Sequence, residues 1–222
     1  LFNLVFAFPV PIILAILLNN LRTGPYKKVT QTITLLPHFV SFVVVAGIAV
    51  NFLSPSTGVI NGMLGWFGAE PIFFMQQPGY FWFIYTAIRI FKTRGFEAIV
   101  YLAALSAIDP ALYEAAEVDG AGKLTQLFRI TIPSILSTIV IMFLVKVGNL
   151  ITISFEEVLL LQNDVILETA EVISTFVYRR GLISADYSYA TAVGVLETVV
   201  ALTLVVGSNA IARRVRSESS LW

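Results

Sequence analysis

Apolar residues in this chain come in long blocks, with no strict alternation that would suggest strands. Five blocks stand out: Leu1–Leu18, Ile33–Leu53, Tyr80–Ile108, Pro133–Phe155 and Tyr187–Ala212. Crossing hydrocarbon takes about 20 mostly apolar residues as a helix, because every backbone polar group must be satisfied within the segment. The pattern therefore predicts an all-α, polytopic transmembrane helical bundle of five spans. The first two blocks are apolar almost throughout. The third carries several charges, the fourth contains Lys146 and the fifth contains Glu197.

Polar segments between the blocks assign sides, since short cytoplasmic loops are enriched in Lys and Arg. Residues 19–32 hold Arg22, Lys27 and Lys28; residues 109–132 hold Lys123 and Arg129; the tail holds Arg213, Arg214 and Arg216. The opposite segments, 54–79 and 156–186, hold only Arg179 and Arg180. The first set, with the C-terminus, is expected on the cytoplasmic side. An odd number of spans then places Leu1 outside, and with no initiator Met the chain reads as a fragment lacking a first span. Segment 54–79 is rich in Gly and Pro and reads as turns. In segment 156–186, Val165, Ile166, Thr169, Ile173, Phe176 and Val177 fall at helical spacing and predict a short amphipathic helix at the outer surface.

Composition agrees with a membrane chain: 57% hydrophobic and 13% charged, against roughly 25% charged in soluble domains. Net charge is zero, which gives no basic field for nucleic acid. With no cysteine and one histidine, His38, neither a metal site nor a thiol nucleophile is expected, and no HExxH or GxSxG pattern occurs. Leu1–Leu18 has neither a basic flank nor a small-residue cleavage site, so it reads as a span and not as a signal peptide. No catalytic residue is assigned.

The segment 109–132 carries the strongest signal. Asp109 is a good N-cap with Pro110 behind it, Leu112, Ala115, Ala116 and Asp119 share one face, and Gly120 permits a turn. Leu124 to Ile130 predict a second short helix. The series Glu114-Ala115-Ala116, Gly120, Ile130 and Ile132-Pro133 resembles, residue for residue in spacing, the EAA motif of binding-protein-dependent ABC importer permeases. Ile132 stands where Leu is usual, a volume-conserving change. LLPHFVSFVVVAG, INGMLGWFGAEPIFF, YLAALSAIDPALYEAAEVDGAG and SYATAVG look like the carbohydrate-uptake branch, especially permeases for oligosaccharides or polysaccharides.

That resemblance implies a single permease domain over residues 1–222, the type I ABC importer core of six helices with the first missing, in a bacterial inner membrane. It implies a second permease subunit, the same chain or a different one, two separate ABC ATPase subunits, and an extracytoplasmic solute-binding protein that delivers a sugar or oligosaccharide. No cofactor binds the chain itself, because ATP belongs to the ATPase. Glu114, Ala115, Ala116, Asp119 and Gly120 would contact that ATPase and form the turn beside it. GAGKLT, residues 120–125, is no phosphate loop: Glu117 and Leu124 stand where that motif needs Gly and a hydroxyl. A secondary transporter or channel is the alternative, and it leaves the EAA spacing unexplained.

Charges inside spans cost several kcal/mol when they face lipid, so they turn toward a cavity or a partner. At about 1.5 Å rise per residue, Lys92, Lys146 and Glu197 fall at similar depth in three spans. Arg89, Lys92, Arg94, Lys146, Asn149 and Glu197 are therefore candidates for the translocation path. Four cations there outnumber Glu97 and Glu197, which suits an anionic sugar such as a uronate oligomer. A purely structural reading pairs Arg94 with Glu97 and Lys146 with Glu197. Glu168 and Glu171, on the outer segment, are candidates for contact with the binding protein.

Overall fold

The computed structural model describes residues 2–21, 24–148 and 155–215, and every regular element among them is helical. Asn149, Arg22 and Arg216 lie outside the described residues, as do the side chains of Arg213 and Arg214. The first crossing is α1 (Phe2–Ala7) and α2 (Pro9–Asn19), the second α3 (Pro25–Phe39) and α4 (Phe42–Phe52). A short α5 (Val59–Trp66) follows, then the third crossing, α6 (Phe81–Ser106), and α7 (Pro110–Val118). The fourth crossing is α8 (Lys123–Gln126), a π-helical turn (Leu127–Thr131), α9 (Ile132–Ser134) and α10 (Leu136–Gly148). After α11 (Phe155–Leu159), α12 (Leu167–Ala170), α13 (Ile173–Tyr178) and a second π-helical turn (Arg179–Ile183), α14 (Tyr187–Val215) makes the fifth crossing.

Five helical stretches thus stand where five apolar blocks predict them, with three shifted boundaries. Residues 19–32 are mostly helix and not loop: Pro25 opens α3, and Lys27 and Lys28 sit in its first turn. The second crossing is not continuous, since α3 and α4 meet at 96°. Pro37 removes an N–H from the last turn of α3, and Val40 and Ser41 then take extended backbone, with ψ of 136° and 142°. Phe155 does not end the fourth crossing, as it belongs to α11.

Two apolar clusters organise the bundle. Phe42, Val45 and Ala46 of α4 pack with Phe81, Tyr85 and Ile88 of α6 and with Val158, Leu161, Ile166 and Ala170 from the outer segment. Ala15 of α2 packs with Ala98, Tyr101 and Leu105 of α6 and with Ile135. Segment 156–186 is therefore part of the core, a difference from the outer-surface position that its charge count suggests. Between Ile88 and Ala98 lies one stretch of α6 holding Arg89, Lys92, Arg94 and Glu97.

At Gly95, α3 crosses α6 so closely that a Cβ would stand 2.1 Å from the Thr34 carbonyl oxygen. Lipid tails are as apolar as Leu, so helices in a bilayer associate through such close packing, which small residues permit. By contrast α14, with mean hydropathy 2.0 over its apolar window, buries none of that window within the chain.

Candidate functional site

The loop 109–132 is built by local rules. Asp109 Oδ1 accepts from the Ala111 N–H at 2.9 Å, capping α7, and Pro110 fills the first helical position. At the other end Gly120 takes φ +76°. Its N–H donates to the Glu117 carbonyl at 3.1 Å and the Ala121 N–H donates to the Ala116 carbonyl at 2.8 Å, the two bonds of a Schellman turn. No atom crowds a Cβ at Gly120, so the demand for glycine there comes from backbone conformation alone.

Side chains fix α7 to the crossing that follows. The Tyr113 and Thr131 hydroxyls lie 3.0 Å apart, and buried Gln126 donates from Nε2 to the Ala121 carbonyl at 3.1 Å. Lys123 Nζ donates to Glu117 Oε1 at 2.9 Å; that bond, with the ammonium charge, holds the Glu117 carboxyl below its usual value. Both groups are exposed, so the pair adds little stability. Glu114, Ala115, Asp119 and Gly120 face outward, while Ala116 is half-buried against the loop. Leu112 and Val118, 50% and 89% exposed, add apolar surface to the outward face. Tyr113, Gln126 and Thr131 were not legible as a clamp, because a π-helical turn, and not the expected α-helix, brings Thr131 round to Tyr113.

The charged stretch of α6 forms two groups. In the inner one, Glu97 bridges Arg94, three residues away on the same helix, and Lys146 of α10. The Arg94–Glu97 pairing expected from sequence is present, but Lys146 joins Glu97 and not Glu197. Glu197 is half-buried and makes no ion pair with any described residue. In the outer group Arg89 Nε lies 3.2 Å from Glu157 Oε2, Tyr85 donates its hydroxyl to the same oxygen at 2.9 Å, and Arg89 Nη1 donates to the Tyr85 hydroxyl at 3.3 Å.

Lys92 belongs to neither group. Its Nζ donates to the His38 carbonyl at 3.0 Å, in the last turn of α3, where helix termination leaves acceptors without partners. The His38 ring stacks on Phe96, centroids 4.1 Å apart. Glu157 comes from a segment expected at the surface, and Tyr85 was not among the expected path residues; the spacing of Tyr85 and Arg89, four apart on one helix face, was the available signal. The four cations are thus matched by two carboxylates, Glu97 and Glu157, and the second is Glu157 in place of the expected Glu197. On the outer segment Glu168 is exposed, whereas Glu171 pairs with Arg179.

The pattern that defines the family "Binding-protein-dependent transport system inner membrane component" matches residues 7–217. The chain belongs to that family. This permease is 43% identical over 216 residues to the polygalacturonan/rhamnogalacturonan transport system permease protein YteP of Bacillus subtilis (strain 168), covering 97% of the chain and 67% of that protein. It is 39% identical to protein LplB of the same organism, with 97% and 68% covered. Its fold is similar to a chain in the crystal structure of a bacterial alginate ABC transporter in complex with alginate pentasaccharide-bound periplasmic protein. There the TM-score is 0.92 and the identity 48%, over 96% of this chain and 74% of the other. The permease is accordingly an inner-membrane subunit of an ABC importer in the carbohydrate branch.

Proposed function

We propose that this permease forms the membrane path for acidic oligosaccharides of the uronate type. The observation that carries the reading is the charge layer between two apolar clusters, in which Arg89, Arg94 and Lys146 meet only two carboxylates, Glu157 and Glu97, and Lys92 bonds a backbone carbonyl. A cationic surplus in a water-filled path lowers the cost of moving a carboxylate through hydrocarbon depth. The similar proteins whose names specify polygalacturonan/rhamnogalacturonan or alginate point to the same substrate class.

Around that path, the reading takes the cytoplasmic face of α7 as the docking surface for a separate ATPase, which alone binds ATP. It places the C-terminus in the cytoplasm, a second permease subunit beside this one, and a binding protein on the outer face near Glu168 and Glu171. ATP-driven closure of the ATPase pair then moves α7 and switches the path between inward-facing and outward-facing states. The test is uptake by the assembled transporter in proteoliposomes of an oligogalacturonide against its methyl ester, which has the same backbone without charge. Preference for the acid supports the reading, and equal or reversed preference overturns it.

A further inference from the structure

Three of the four cations in the charge layer are committed within the chain. Arg94, 3% exposed, and Lys146 share Glu97, and Lys92 closes the end of α3. Arg89 differs. Its guanidinium lies 5.8 Å from the centroid of the Tyr85 ring, and its Nε, though 3.2 Å from Glu157 Oε2, has no aligned hydrogen bond among the described residues. The side chain is 25% exposed. At hydrocarbon depth a guanidinium on a side chain that is a quarter exposed turns toward an aqueous path and not lipid. Its planar fork matches a carboxylate through two parallel bonds, a geometry that the Glu157 contact does not complete.

We infer that Arg89 reads the substrate carboxylate and that Glu157 is a positioning residue, an internal carboxylate that occupies Arg89 until a uronate displaces it. The inference rests on the acidic-oligosaccharide reading above. Displacement leaves neither partner stranded. Glu157 keeps the Tyr85 hydroxyl as donor at 2.9 Å, and Arg89 gains a carboxylate for the one it releases. The same exchange at Glu97 would strand sealed Arg94, so the inner group cannot serve. A neutral sugar has nothing to exchange for Glu157 and gains no charge-assisted bond, so the device discriminates by charge.

The assembled transporter, with its partner subunits and binding protein in proteoliposomes, tests this with trigalacturonate and its methyl ester. The quantity read is the ratio of kcat/KM for acid over ester, in which any discrimination by the unchanged binding protein cancels between variants. Glu157→Gln keeps an acceptor for Tyr85 and removes the competing charge, so the ratio should rise roughly threefold to fivefold. Arg89→Met should lower it by about tenfold. If Glu157→Gln fails to assemble, judged by co-purified ATPase, Tyr85→Phe takes its place: without a donor for released Glu157 the ratio should fall. Ratios that stay at the wild-type value in assembled variants overturn the exchange while leaving the acidic-substrate reading intact. Wild-type transporter that carries the ester and not the acid overturns both.

Discussion

Lys92 Nζ and the His38 carbonyl oxygen, 54 positions apart in sequence, lie 3.0 Å apart where α3 stops. The ammonium supplies a donor to a helix end that has run out of them, and its charge opposes the negative pole of the α3 dipole. Lys92→Met should therefore destabilise the permease by about 1.5–3 kcal/mol, the worth of a charged hydrogen bond. Uptake of acid and ester should fall in equal proportion. A lower unfolding temperature of the purified transporter with an unchanged acid-to-ester ratio is the expected result, and a selective loss of acid transport would give Lys92 a role in the path beyond this cap.

Glu97 neutralises two cations at once, so its removal is the costliest single change in the layer. Glu97→Gln should leave Arg94 and Lys146 in a half-dry interior without a carboxylate, a loss of about 3–5 kcal/mol. Reduced membrane yield and early thermal unfolding should follow. Lys146→Met in the same background should recover part of the loss, because it removes one of the stranded charges.

Gly120 and Glu114 test the docking surface. Gly120→Val forces a β-branched residue to φ +76°, at a cost of about 1–2 kcal/mol confined to the loop. Glu114→Lys reverses an exposed charge on α7. The double variant should insert normally and retain less ATPase on co-purification. ATPase recovery at the wild-type level would remove α7 from the coupling role.

Asn61 locks the outer side. Buried at 7% exposure, it donates to the Ser54 and Ile72 carbonyls at 3.0 Å each and accepts from the Ile72 N–H at 2.8 Å. Asn61→Ala would leave these backbone groups without partners, at about 1–3 kcal/mol for each one that water cannot reach. A cysteine introduced at Ile72 should then label faster from the outside.

Glu168 offers a probe of the binding-protein contact. It is exposed on α12, whereas Glu171 is tied to Arg179. Cysteine at 168 should crosslink to the binding protein during turnover and do so more strongly than cysteine at 171. Absence of crosslinks at both positions would place the contact elsewhere.

The loop 109–132 was legible in the sequence because its signals are local: Asp109, Pro110 and Gly120 each act within five residues. Helix breaks were less so. Val40 and Ser41 carry no strong breaker of their own, and Pro37 acts from the preceding turn and is as easily read as a tolerated kink. Charge partners were least legible, since Glu157 meets Tyr85 across 72 positions and Lys146 meets Glu97 across 49. Depth alone placed Lys146 near Glu197, and α10 does pack on α14 as well as on α6; the reach of the Lys146 side chain to Glu97 on α6 decides between them.

The crossing of α3 and α6 at Gly95 also fixes how a push can travel. Where backbone meets backbone with no side chain between, sliding would drive the Thr34 carbonyl into the next turn of α6, whereas tilting keeps the contact. Measured from Gly95, α6 has an arm of about 16 Å to Ser106 and about 21 Å to Phe81 at 1.5 Å per residue. Spin labels at the two ends should report displacements of opposite sense during turnover, and parallel displacement would exclude the pivot. On that geometry α6 works as a seesaw: a Ser106 end drawn one way swings Arg89 and the Phe81 end the other, with the longer arm at Phe81.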